Sequence, residues 1–139
     1  MEVIMNWMKS LCPLSDETIR ELEACVTPCR FPKRHLLVRE GIYCKYAYFI
    51  EKGMTRSYWL VDGEEFTTSF AYDGCIVFSM DELYYNQVSQ EFVETLEEVE
   101  AYRILITDLR RLWETNLELS NWGRIIHQNE YRRLHQSHK

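Results

Sequence analysis

The sequence predicts a mainly β protein, an antiparallel β-roll or jelly-roll with a helix ahead of it and a short and a long helix behind. Three observations predict this. Turn signals punctuate the chain from Cys29 to about Ile106, at Phe31-Pro32-Lys33, Glu40-Gly41, Lys52-Gly53, Asp62-Gly63 and Asp73-Gly74, and a spacing of about 9–12 residues marks antiparallel sandwiches and barrels. Aromatic residues make up 14% of the chain and gather in its middle third, where rings fit a half-buried pleated surface. On either side of this region the apolar period becomes helical.

Taken in order, Met1 to Cys12 is a short mixed apolar run with Lys9 as its one base. It has neither the basic leader nor the small-residue cleavage site of a signal peptide. A helix is expected over about 15–27. Ser15 suits the N-cap, and Asp16 and Glu17 suit the positive end of the helix dipole. Leu14 and Ile19 can form a hydrophobic staple, Ile19, Leu22 and Val26 make an apolar stripe, and Pro28 ends the helix.

The strands follow, among them Tyr46 to Ile50 and Thr55 to Leu60, with Asp62-Gly63 as the strongest hairpin signal because both turn positions tolerate positive φ. Phe92 to Ile106 reads as one or two further strands carrying many glutamates. Alternation places Glu94, Glu98 and Glu100 on one face and Glu91 and Glu97 on the other, and the acidic run reads as a solvated sheet face or as an edge protected by charge against further pairing. Thr107 and Asp108 then cap a short helix to about Glu114. A long helix is expected over about 118–135, with Leu119, Trp122, Ile126 and Leu134 on one broad face and Glu130 interrupting it. Arg124, Arg132 and Arg133 make its end mildly basic, as the dipole favours.

The bulk properties bound the function. One domain of 139 residues with 46% hydrophobic and 27% charged residues is a folded globular chain. A net charge of −6 argues against non-specific nucleic-acid binding, which neutralises phosphates. No run approaches the roughly 20 apolar residues of a membrane helix, so no membrane association is expected. Five cysteines, an odd number without a framework, fit a cytoplasmic location. Cys25 and Cys29 stand four apart, but no second pair with histidines completes a metal site. His35 is alone in the β region, too little for a metal centre inside a barrel, and no nucleophile has a neighbouring base at a recognised spacing. The chain is not expected to be an enzyme, and neither a metal nor another cofactor is expected.

Several of these segments, taken together, resemble the cyclic-nucleotide-binding domain, and most closely the sensory half of Crp/Fnr-type bacterial transcription regulators. Pro32 to Gly41 has a basic stretch, aliphatics and then Glu-Gly; Ala47 to Gly53 has an apolar run leading to a near-fixed glycine. Asp62-Gly63-Glu64-Glu65 and Asp73-Gly74 stand where the two later hairpins would be. The resemblance covers roughly residues 12–135. It implies a single sensory domain over 1–139, with the first helix and roll at about 12–106 and the C-terminal helices, including a dimerisation helix, at about 107–139. A winged helix-turn-helix would follow in the family. None is expected here, so DNA would be reached only through a domain outside this chain.

The resemblance also implies where a ligand would sit. In members that bind cyclic AMP a short helix in the roll presents backbone donors to the phosphate, a Gly-Glu pair opens it, and an arginine pairs with the phosphate. The matching stretch here runs from Gly74 to Tyr85 and on to Val93, with Phe78 and Ser79 in place of Gly-Glu and Gln90-Glu91-Phe92 near the arginine position. A carboxylate where a phosphate should sit is repulsive, so cyclic AMP is not the expected ligand. Phe78, Ser79, Tyr84, Tyr85, Glu91 and Phe92 are the candidate pocket residues, with Ser79 and Glu91 as polar anchors and the bland reading that the rings only fill the roll. The expected function is effector sensing and homodimerisation through the long helix, with Leu119, Trp122, Ile126 and Leu134 as the dimer-helix candidates. The alternative is a ligand-free interaction or dimerisation scaffold of the same fold.

Overall fold

Eight strands form two four-stranded antiparallel sheets, ordered β1-β8-β3-β6 and β2-β7-β4-β5. The computed structural model describes residues 1–137, without the side chains of Met80, Tyr84, Glu130 and residues 133–137. In chain order the elements are α1 (Glu2–Leu11), α2 (Asp16–Glu23), β1 (Thr27–Phe31), β2 (Leu36–Val38), β3 (Tyr46–Lys52), β4 (Thr55–Val61) and β5 (Glu64–Ala71). There follow β6 (Ile76–Val77), α3 (Met80–Tyr85), β7 (Phe92–Thr95), β8 (Val99–Leu105), α4 (Ile106–Thr115) and α5 (Leu117–Ser137). The expected mainly β roll, with helices at both ends, is the observed architecture.

The hairpin at Asp62-Gly63 forms as its composition requires. Both residues have positive φ, 52° and 82°, and Val61 pairs with Glu64 across the turn, the tight geometry that matches strand twist. Glu94 and Glu65 share Arg56, and Glu98 and Glu100 share Arg30, so these acids are ion-paired. Glu97 and Glu98 depart from the alternation. Both are exposed in the connection between β7 and β8, because the strand ends at Thr95. Thr95 itself is buried and ties the β1–β2 turn, its hydroxyl accepting from the His35 N–H at 2.8 Å and donating to the Pro32 carbonyl at 2.7 Å.

Two clusters make the core. Leu37, Val38, Ile50, Val93, Val99 and Ala101 fill the roll between the sheets. A second cluster joins the helices to β3 and β8 through Ile4, Met8, Leu22, Phe49, Leu109 and Trp122. Helix α1 is the largest departure from the sequence reading, which left Met1 to Cys12 without structure. Ile4 and Met8, one turn apart, are fully covered, and this tertiary burial holds a helix whose N-cap, Met1, supplies no side-chain hydrogen bond. Helix α2 starts at the expected Ser15 cap, which accepts from the Thr18 N–H, but it stops at Glu23. Thr27 and the residues after it are drawn instead into pairing with β8, from Thr27 opposite Arg103 onward, and Pro28 is tolerated because β1 is an edge strand.

The corner between α4 and α5 is locked to α2 by hydrogen bonds that the sequence does not reveal. Asn116 accepts from the Leu119 N–H at 3.0 Å, capping α5, and donates to Glu21 at 2.8 Å. Glu118 accepts from the Ser15 hydroxyl at 2.7 Å, from its backbone N–H at 3.0 Å and from the Thr18 hydroxyl. These bonds, Thr18's first and then Ser15's, hold the Glu118 carboxyl below its ordinary value of 4.5. A depressed folded value stabilises the fold above the ordinary value, and that stabilisation is lost as pH falls through the folded one. Glu118→Gln is therefore expected to lower the melting midpoint at pH 7 and to converge with the parent as the pH falls through the folded value. A deficit that does not shrink anywhere on the acid limb would show that the charge on Glu118 contributes nothing.

Candidate functional site

A cavity of 220 Å³ lies where the inner face of β4 and β5 meets β6, α1 and α5. Ser57 and Ser69 are direct cross-strand partners, so they share a face and both line it. Phe70 and Ala71, the stretch from Cys75 to Phe78, Glu91, Trp7, Ile126 and Asn129 complete the wall. Glu91 is 9% exposed, and the Thr68 hydroxyl on β5 reaches its Oε2 at 3.4 Å. The backbone beneath it is held by Ser89, which accepts from the Glu91 N–H at 3.1 Å and donates to the Glu91 carbonyl at 2.9 Å.

Helix α3 forms the adjoining edge. Ser79 precedes it in extended conformation and makes no side-chain cap bond. Its buried hydroxyl has no partner among the described residues. Glu82 is fully covered and accepts from the Cys44 N–H at 3.1 Å, pinning α3 to the chain entering β3. Asn86, in the left-handed region at φ 54°, ends the helix and accepts from the Tyr43 hydroxyl at 2.8 Å. Asp81 then gathers the following loop, taking the Gln87 N–H on its carbonyl at 2.9 Å and the Gln90 N–H on its carboxylate at 3.1 Å.

Of the residues proposed from sequence, the structure brings Phe78 and Glu91 into one cavity, with Ser79 buried one residue on. Two expectations are corrected. Tyr85 is 58% exposed, carried to the outside by the last turn of α3. Phe92, next to Glu91 in extended chain, stacks on Tyr58 with ring centroids 5.2 Å apart and is not part of the wall. The side chains of Tyr84 and Leu134 lie outside the described residues. The sequence reading missed Trp7, Ser57, Ser69, Cys75 and Asn129. A signal existed for the serines, which face each other across the β4–β5 hairpin.

The proposed dimer residues are placed differently as well. Leu119 and Trp122 are fully covered and Ile126 is 5% exposed within the single chain. Trp122 lies between Phe49, stacked at 6.0 Å, and Trp7, edge-on at 6.1 Å. The expected seam is thus occupied by α1 and the roll, an occupant that could not be foreseen while α1 went unread.

Chemically, the described wall offers a carboxylate, an amide and two hydroxyls against apolar surface, and among the described residues no lysine or arginine lines it. Among the described residues no group of histidine, cysteine, aspartate or glutamate could hold a metal ion, and no helix is long and apolar enough to cross a membrane.

Comparison with known proteins adds a family. The model of the cyclic nucleotide-binding domain matches residues 28–116. No curated protein sequence matches the chain. Among solved structures, a cyclic nucleotide-binding domain from Methylobacillus flagellatus superposes with a TM-score of 0.83 at 18% identity, covering 98% of this chain and 79% of that one. The catabolite activator protein of Thermus thermophilus gives 0.74 at 17% identity, covering 89% and 57%. The regulatory subunit of a cAMP-independent protein kinase A from Trypanosoma brucei gives 0.77 at 15%, covering 94% and 45%. The chain spans about half the length of the last two, and at these identities the likeness is one of fold.

Proposed function

Since the chain belongs to the cyclic nucleotide-binding domain family, we propose that it is an effector-sensing domain of the Crp/Fnr type whose ligand is not a cyclic nucleotide. One observation carries this reading. The cavity between the roll and α5 is walled by Glu91 and, among the described residues, by no lysine or arginine, whereas a cyclic phosphate needs a cationic partner to offset its desolvation. By the resemblance, Phe78 also stands where members that bind cyclic AMP carry the glycine of the Gly-Glu pair. The cavity suits a small ligand with hydrogen-bond donors and an apolar flank.

The same wall suggests how occupancy is transmitted. Ile126 and Asn129 belong to α5 and Trp7 to α1, so a ligand touches the helices directly. Any difference in affinity between two settings of α5 then shifts their populations, and with them an output domain attached beyond α5. Homodimerisation along α5 belongs to this proposal and uses the helix face away from Leu119, Trp122 and Ile126.

A melting screen of the protein against small metabolites tests the reading. A true ligand is expected to add about 2.7 kcal/mol at a hundredfold excess over its dissociation constant, and Ser69→Phe, which fills the cavity, is expected to abolish the shift. A metabolite panel without effect on either protein would favour the ligand-free scaffold.

A further inference from the structure

Beside α3, a groove between α4 and α5 is lined by Leu83, Arg110, Trp113, Ser120, Gly123, Arg124 and His127. Hydrogen-bond donors face it from both helices. Arg110 and Trp113 stand one turn apart on α4, and Ser120, Arg124 and His127 follow at intervals of four and three on α5, a spacing that puts them on one face. Among the described residues no acid lines the groove, although the chain carries a net charge of −6.

The groove is also built rather than incidental. A Cβ on Gly123 would meet the Trp113 indole at 2.5 Å, so the missing side chain lets the ring lie directly on the α5 backbone. Arg110 is half-buried and donates its Nε–H to the Leu83 carbonyl at 2.9 Å. One edge of its guanidinium is thereby committed, which orients the planar fork and lowers the entropy lost when an anion engages its remaining donors.

We propose that this groove binds an anion, a phosphate or carboxylate group, between the guanidinium groups of Arg110 and Arg124, with Ser120 as a further donor. Paired guanidiniums accept the planar edge of such groups in bidentate fashion. Because Arg110 also holds the carbonyl of α3 at Leu83, the anion joins α3, α4 and α5 at one point, independently of what occupies the cavity. The source is either a free phosphate-bearing molecule or an acidic side chain of a partner protein, and both present the same chemistry.

The test is a titration of isotopically labelled protein followed through the amide of Gly123, the indole N–H of Trp113 and the Nε–H of Arg110. Inorganic phosphate is added in one arm and a short polyglutamate peptide in the other, with sodium chloride at matched ionic strength as the reference. Saturable shifts of these three signals are expected in at least one arm. The arm that saturates at lower concentration identifies the source. Arg124→Gln, an exposed position that leaves the fold intact, is expected to weaken saturation about tenfold, the lower range for one charged hydrogen bond. Shifts no larger than chloride produces, in both arms, would overturn the proposal, as would an Arg124→Gln protein that saturates like the parent.

Discussion

Trp122→Ala is expected to destabilise the folded chain by about 3–5 kcal/mol, the range for removing a large ring from a core that relaxes only partly. The indole is fully covered, it joins α5 to Phe49 of β3 and Trp7 of α1, and no neighbour can collapse into its place without moving a helix. Against a total stability of roughly 5–15 kcal/mol for a domain, the loss should appear as a large fall in the urea midpoint with little change of slope. The same variant separates two roles for the residue. A seam residue would leave the protomer's stability nearly untouched and convert dimers to monomers, so a midpoint shift worth less than about 1 kcal/mol would restore Trp122 to an interface.

Gly53→Ala is expected to cost about 2–6 kcal/mol, for two reasons that add. The residue has φ 122°, a region in which a side chain costs about 1–3 kcal/mol. An added Cβ would also lie 2.8 Å from Val99 Cγ2 and 2.9 Å from the Glu98 carbonyl, and such overpacking adds about 1–3 kcal/mol. The backbone cannot move aside easily, because the Gly53 N–H is held by Asp73 at 2.8 Å. Gly63 is the internal control. Its φ is 82°, but an added Cβ meets nothing, so Gly63→Ala should show the strain alone. Equal losses at the two positions in a urea titration would mean that the contact with β8 does not matter.

These two residues also show what was legible in the sequence. Gly53 could be read as a special position because it ends an apolar run at a turn, and the hairpin at Asp62-Gly63 was legible from its dipeptide. Such signals are local. Trp122 was visible as a large apolar residue on a helical stripe, but its partner was not, since the stripe is covered by α1, an element without a cap or a long period. The pocket was half legible for a related reason. Phe78 and Glu91 lie in the segment that the family resemblance singles out, whereas Ser57, Ser69, Trp7 and Asn129 come from four other elements and meet only once the sheets close. Tyr85 and Phe92 were misplaced because a one-residue step in an extended chain, or a part-turn of a short helix, reverses the direction of a side chain.

Isothermal titration of the protein with cyclic AMP tests the central claim most directly. With Glu91 in the wall and no lysine or arginine facing the cavity among the described residues, no saturable heat is expected at millimolar nucleotide. A one-site isotherm saturating in the micromolar range, and lost in Ser69→Phe, would contradict the account by showing that the cavity accepts a cyclic phosphate.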